Sequence, residues 1–102
     1  MVNLTRIYTR TGDSGTTRLA DMSVVEKTDP RVAAYGDVDE ANSALGAALA
    51  TGQLGEEVTG VLRVIQNELF DLGADLSTPL LHNPQHEPLR VTQAYVDRLE
   101  GW

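Results

Sequence analysis

Apolar positions recur at two different rhythms along the chain, and the change of rhythm divides it. From Val32 the apolar or near-apolar residues Val32, Tyr35, Val38, Asn42, Leu45 and Leu49 follow one another at intervals of three and four. That spacing lays them on one face of an α-helix. Asp29 is a good N-cap, Pro30 suits the first helical position where no amide hydrogen is needed, and Gly52 stands where a C-terminal glycine belongs. Ala33, Ala34, Gly36, Ala41, Ala44, Ala47 and Ala48 cover much of the remainder of this helix. Small residues on several sides let neighbouring helices approach closely, which predicts a central bundle helix. A second helix is predicted from about Glu56 to Leu76, where Val58, Leu62, Ile65, Leu69, Leu72 and Leu76 alternate at four and three. This is a heptad seam, suited to near-parallel packing on another helix.

Pro79 stops the second helix, and LHNPQHEP, Leu81 to Pro88, reads as a loop by its prolines and polarity. A third helix is predicted to begin near Pro88, with Leu89, Val96, Leu99 and Trp102 on one side. It runs out at RLEGW without a convincing cap. Two and a half helices with long apolar stripes need a cover, so the pattern predicts either further chain or assembly with copies of itself. Ahead of the helices the rhythm is lost. Ile7, Tyr8 and Thr9 suit a short extended segment, and Gly12, Asp13, Ser14 and Gly15 then interrupt regular structure. The predicted organisation is a single domain over 1–102: a non-helical leader, 1–28, and an all-α, up-and-down helical bundle portion, 29–102.

Charge sharpens this division. The whole chain carries a net charge of -7, which disfavours nucleic acid and anionic membranes, since both select a basic face. Up to Arg31, however, five basic residues (Arg6, Arg10, Arg18, Lys27, Arg31) stand against four acids, and the remaining three bases face eleven acids. A small polyanion would therefore be sought in the leader. No apolar run approaches the roughly 20 residues of a membrane helix, and the N-terminus lacks a signal peptide's apolar stretch, so a cytoplasmic protein is expected. With no cysteine, disulfides, thiolate metal sites and a cysteine nucleophile are excluded.

The leader contains TRTGDSGTT, whose GDSG is the setting of the nucleophile in chymotrypsin-like proteases. A serine nucleophile needs a positioned base and an orienting acid. The only histidines, His82 and His86, share one proline-containing loop, which argues strongly against a protease. Pro84 between them also argues for an exposed loop over a metal pair. TRTGDSGTTR is better suited to phosphate: glycines admit backbone amides, hydroxyls add donors, and Arg10, Arg18 and the downstream Lys27 supply charge. It is neither a Walker A loop nor a dinucleotide fingerprint. On composition alone, a polar turn in a small hairpin stands beside that reading. Asp37 and Glu40 read as a solvated face. Asp39, about 80° from the centre of the first helix's stripe, is a carboxylate at a stripe edge wanting a cationic partner, with no obvious one in the chain.

Taken in order, IYTRTGDSGTTRL, Lys27, DPRVAAYGDVDEANSALG and IQNELFDLGADLSTP resemble the N-terminal half of the ATP-dependent cobalamin adenosyltransferases of the propanediol-utilisation type. The resemblance spans nearly the whole chain. It implies a five-helix bundle assembling as a homotrimer with sites between subunits, and transfer of the adenosyl group of ATP to reduced corrinoid with release of triphosphate, aided by Mg²⁺. By position it implies ATP contacts from Thr9, Arg10, Thr11, Gly12, Thr17, Arg18 and Lys27, with Arg10 where some relatives carry lysine. Asp39 matches an aspartate that pairs with an arginine of the adjacent subunit, and Asn42 is a structural position near that interface. Two further helices of the family, one bearing an RRAER segment, do not occur in these 102 residues, so an N-terminal fragment or truncated form is expected. A corrinoid reductase or an adenosylcobalamin-dependent mutase is an implied partner. A non-catalytic ATP-binding module and a purely helical oligomerisation unit are the competing readings.

Overall fold

The computed structural model describes residues 5–81 and 86–102. Helix α1, Pro30–Thr51, begins as its sequence dictates: Asp29 Oδ1 accepts the Arg31 amide at 2.8 Å, with Pro30 in the first turn. It ends with the Gly52 amide on Ala48 O at 2.8 Å. After a short connection α2, Glu56–Leu76, returns along it. Val32, Tyr35, Val38, Asn42, Leu45 and Leu49 are all half-buried, as are Leu62, Ile65, Leu69, Leu72 and Leu76, while Val58 near the start of α2 is exposed. The two stripes face each other, but nothing seals them: among the described residues only Leu19 is buried. Most of the small residues of α1 outside its stripe are exposed, so the close packing their size permits is used on one side only.

The leader differs from expectation. Ile7 to Thr9 form no strand, and Ile7 is 97% exposed. Strands form instead at Thr16–Arg18 (β1) and Val24–Glu26 (β2), an antiparallel pair in the register Thr16 with Glu26, Thr17 with Val25 and Arg18 with Val24. The physical reason is partnership: an extended segment needs a ladder to hold it, and Ile7–Thr9 has none. The hairpin connection is closed by Leu19 N–H to Ser23 O and Met22 N–H to Leu19 O, each 2.9 Å, with Met22 left-handed at φ 70°. The Asp21 carboxylate accepts both the Ser23 amide at 3.0 Å and its hydroxyl at 2.6 Å, a local Asx turn that holds its pKa below the usual carboxylate range.

Helix α3 spans Gln93–Glu100 and begins later than Pro88. Residues 88 to 91 are held out of the helix because the Val91 amide is donated to Asp75 Oδ2 at 2.7 Å, a bond that competes with helical pairing. Its last turn closes with Gly101 N–H on Asp97 O at 3.0 Å and Trp102 N–H on Leu99 O at 3.3 Å. Leu89, Val96, Leu99 and Trp102 are all exposed. No helix among the described residues is long and apolar enough to cross a membrane. Of the two histidines, His86 is exposed and His82 lies outside the described residues.

Candidate functional site

The leader loop is built by two left-handed glycines and a hairpin beneath them. Gly12 (φ 85°) and Gly15 (φ 92°) turn the chain into β1. At Gly12 there is no room for a side chain, because a Cβ would stand 2.8 Å from Thr16 O. The same position lies 3.9 Å from Lys27 Cε, so pairing of β1 with β2 brings the lysine stem against the glycine turn. The Lys27 amide seals the arrangement by donating to Gly15 O at 2.9 Å. On the other side of the turn, the Thr9 and Thr11 hydroxyls share a hydrogen bond of 2.7 Å. Between them Arg10 is left-handed at φ 59°, its guanidinium 5.3 Å from the centre of the Tyr8 ring. A non-glycine residue in this region carries backbone strain, a feature that gathers at ligand sites.

Thr9, Arg10, Thr11, Gly12 and Lys27 thus belong to one end of the leader. Thr17 sits opposite Val25 in the ladder and is half-buried. Arg18 is carried toward the hairpin connection, where its Nη1 donates to Met22 O at 3.0 Å. There it borders a groove of about 600 Å³ together with Leu19, Tyr35, Asp39, Asn42 and Phe70. Arg18 and Asp39 line the same groove without forming an ion pair. Among the described residues the ion pairs are Asp75 with Arg90 and Glu68 with Arg98, so Arg10, Arg18, Lys27 and Asp39 have no oppositely charged partner there. No three His, Asp or Glu side chains among the described residues are grouped to hold a metal ion.

Sequence reasoning missed the residues that fix this frame. Glu68, Asp71 and Asp75 occur at intervals of three and four on one face of α2, and each meets a partner from the C-terminal part of the chain, Arg90 ahead of α3 and Tyr95 and Arg98 within it. Arg98 Nε donates to Glu68, Tyr95 OH donates to Asp71 Oδ2 at 3.0 Å, and Arg90 Nη1 donates to Asp75 Oδ1 at 2.6 Å. The Arg90 contact and then the Val91 amide hold the Asp75 carboxyl below the usual carboxylate range. The hydrogen bond to Asp71, followed by burial, pushes the Tyr95 phenol up. The helical spacing of the three acids was a readable signal, but their partners lie 15 to 30 residues away. On the other flank Asn42, expected to be structural, meets Gln66 of α2.

Known proteins show the same arrangement of sequence and fold. The family model for cobalamin adenosyltransferase matches residues 7–102. The corrinoid adenosyltransferase of Mycobacterium tuberculosis is 67% identical over 101 residues, covering 99% of this chain and 52% of its own length. That of Citrobacter freundii is 41% identical over 99 residues, with 91% and 56% covered. Among solved structures, a variant of the PduO-type ATP:corrinoid adenosyltransferase from Lactobacillus reuteri, complexed with cobalamin and ATP, superposes with a TM-score of 0.76 at 36% identity, covering 91% of this chain and 53% of that one. The chain spans about half the length of the curated relatives it matches. A match over residues 7–102, with relatives far above 30% identity across nearly all of the chain, makes this chain a member of the cobalamin adenosyltransferase family.

Proposed function

We propose that this chain is the nucleotide-binding portion of an ATP:corrinoid adenosyltransferase, transferring the 5′-deoxyadenosyl group of ATP to cob(I)alamin to give adenosylcobalamin and triphosphate. The observation that carries this reading is the leader: Gly12 packed on Thr16 O with the Lys27 stem beside it, in a family member whose leader cations have no carboxylate partner among the described residues. In the reaction the electron pair of Co(I) forms the bond to the ribose 5′ carbon, and the C–O bond breaks with its pair going to triphosphate. The protein's tasks are to align the two centres and to neutralise the leaving group. Thr9, Thr11 and the Gly12 backbone are assigned as hydrogen-bond donors to the phosphates, with Thr17 as a further contact, and Arg10, Arg18 and Lys27 as their counter-charges.

Mg²⁺ fits this site in one way. With no cluster of carboxylates among the described residues, the ion would be held by triphosphate oxygens and water, its usual mode with nucleotides, and would neutralise phosphate charge. Asp39, exposed at the groove without a cationic partner among the described residues, is assigned to an arginine of the adjacent subunit in a homotrimer. The chain is read as one domain, 1–28 the leader and 29–102 the bundle portion, acting in the cytoplasm beside a corrinoid reductase or an adenosylcobalamin-dependent mutase.

Anaerobic incubation of the full-length protein with ATP, Mg²⁺ and reduced cobalamin should yield adenosylcobalamin, followed by its absorption spectrum. No product above the protein-free control would sink the reading. Calorimetry on the 102-residue chain separates the alternative: ATP affinity without turnover identifies a binding module.

A further inference from the structure

The C-terminus of α2 is where the leader meets the helices. The end of a helix leaves carbonyls without partners and carries the negative end of the helix dipole. Helix α2 has no basic residue in its own last turn, and the cations come from elsewhere. Arg31 Nη1 donates to Leu76 O at 2.7 Å. Arg90 donates from Nη1 to Asp75 O at 3.1 Å and Thr78 O at 2.6 Å, and from Nη2 to Pro79 O at 3.2 Å. Its orientation is set by the Asp75 carboxylate, whose second oxygen takes the Val91 amide. Within the stretch that Arg90 grips lies Ser77, and Ser77 O accepts the Ala20 amide at 2.9 Å. Among the described residues this is the only hydrogen bond from the hairpin connection to the helices, and it adjoins Leu19, the one buried side chain.

We propose that Arg90 is a positioning residue for the leader: by holding the carbonyls on both sides of Ser77, it fixes the acceptor on which the hairpin docks and so places the loop from Thr9 to Arg18. This rests on the reading of the leader as the ATP site. A lysine cannot replace the fork, because a compact ammonium lacks the planar, spread donors that reach Asp75, Thr78 and Pro79 together. Arg98 provides the matched control. It also ties the third helical segment to α2, through Glu68, but makes no bond to the α2 C-terminus.

The test measures ATP affinity by calorimetry and hydrogen exchange at the Ala20 amide in Arg90→Lys, Asp75→Asn, Arg98→Gln and Arg10→Ala variants of the protein. Arg90→Lys should weaken ATP binding about fivefold or more and speed exchange at Ala20. Asp75→Asn should act in the same direction to a smaller extent, and it carries the test if Arg90→Lys does not fold. Arg98→Gln should leave both readouts unchanged. Wild-type affinity in Arg90→Lys with weakened binding in Arg10→Ala overturns the inference while sparing the ATP site. Unchanged affinity in Arg10→Ala instead removes the ATP reading, and Ala20 exchange then decides: acceleration in Arg90→Lys supports the positioning role, and unchanged exchange overturns it.

Discussion

Asn42 of α1 and Gln66 of α2 each donate a side-chain amide to the other's backbone carbonyl, Asn42 Nδ2 to Gln66 O at 3.1 Å and Gln66 Nε2 to Asn42 O at 3.3 Å. The exchange fixes the register of the two helices, since sliding by one residue would break both bonds. Gly46 makes room for it, a Cβ there falling 3.2 Å from Gln66 Nε2. Gln66→Ala should cost about 1 kcal/mol, the net worth of one such bond. Gln66→Glu should cost more, about 2 kcal/mol at neutral pH, because a carboxylate cannot donate and would face the Asn42 carbonyl. Urea midpoints at constant slope check the order. Equal costs would show that the donor is irrelevant.

The acid face of α2 predicts a pH profile with two limbs. Asp75 is held below its ordinary value of 3.8 by Arg90 and the Val91 amide, so its contribution is complete above that value and is lost as pH falls through the lower folded-state value. Tyr95 is raised above 10.0 by its bond to Asp71, so its contribution is complete below that value and is lost as pH rises through the higher folded-state one. In a thermal scan against pH, Asp75→Asn should flatten the acid limb and Tyr95→Phe the alkaline limb. An acid limb unchanged in Asp75→Asn would remove the assignment to this carboxylate.

Met22 holds a left-handed conformation at the hairpin connection while its side chain is 64% exposed. A β-carbon in that region costs roughly 1–2 kcal/mol, and little burial opposes its removal. Glycine loses more backbone freedom on folding, so Met22→Gly should raise stability by about 0.5 kcal/mol at most, or leave it unchanged. Calorimetric melting tests this. A clear fall in melting temperature would mean that the methionine side chain contributes packing to the hairpin.

That methionine also explains which parts of the fold were legible. Asp29, Pro30 and Gly52 bracket α1 because capping is local chemistry, written within a few residues of the helix end. A small hairpin was open on TRTGDSGTTR, but its turn at Leu19 to Ser23 was missed, because Ala20-Asp21-Met22 places methionine, not glycine or asparagine, at the left-handed position, leaving only Asp21 as a turn signal. The start of α3 was misplaced because Pro88 is a local start signal, whereas the bond holding Val91 extended comes from Asp75, 16 residues earlier. The same limit applies to the candidate site. Arg10, Arg18 and Lys27 were visible as charge, and Gly12 as a turn, but the approach of Lys27 to Gly12 depends on strand pairing that no single segment encodes.

Gly12 and Gly15 share a left-handed backbone but not a neighbourhood. A methyl group at Gly15 meets nothing within 4 Å, so Gly15→Ala should cost only the backbone preference, roughly 1–2 kcal/mol. At Gly12 the added carbon meets the Thr16 carbonyl of β1 at 2.8 Å, and backbone must move. Gly12→Ala should therefore destabilise more than Gly15→Ala. On the ATP reading it should also weaken nucleotide binding further, since it shifts the turn away from Lys27. Melting temperatures and calorimetric ATP affinity, measured on both variants, check the ranking, and a reversed order would place the critical turn at Gly15.

Within the same loop, Ser14 and Arg10 separate a nucleophile from a binding site. Ser14 is exposed in the turn between the two glycines. Arg10, on a strained backbone next to the Thr9 and Thr11 hydroxyls, has no ion-pair partner among the described residues. Ser14→Ala should leave ATP affinity unchanged. Arg10→Ala should weaken it about tenfold, the worth of one charge-assisted contact to phosphate. Arg10→Lys should fall between them, because it keeps the charge but loses the planar donor pattern. Arg10→Gly tests the backbone: it relieves the left-handed strain while removing the cation, so it should bind as poorly as Arg10→Ala yet fold more stably. If instead Ser14→Ala abolished binding and Arg10→Ala did not, the loop would be recognising its ligand through the turn hydroxyl and not through charge.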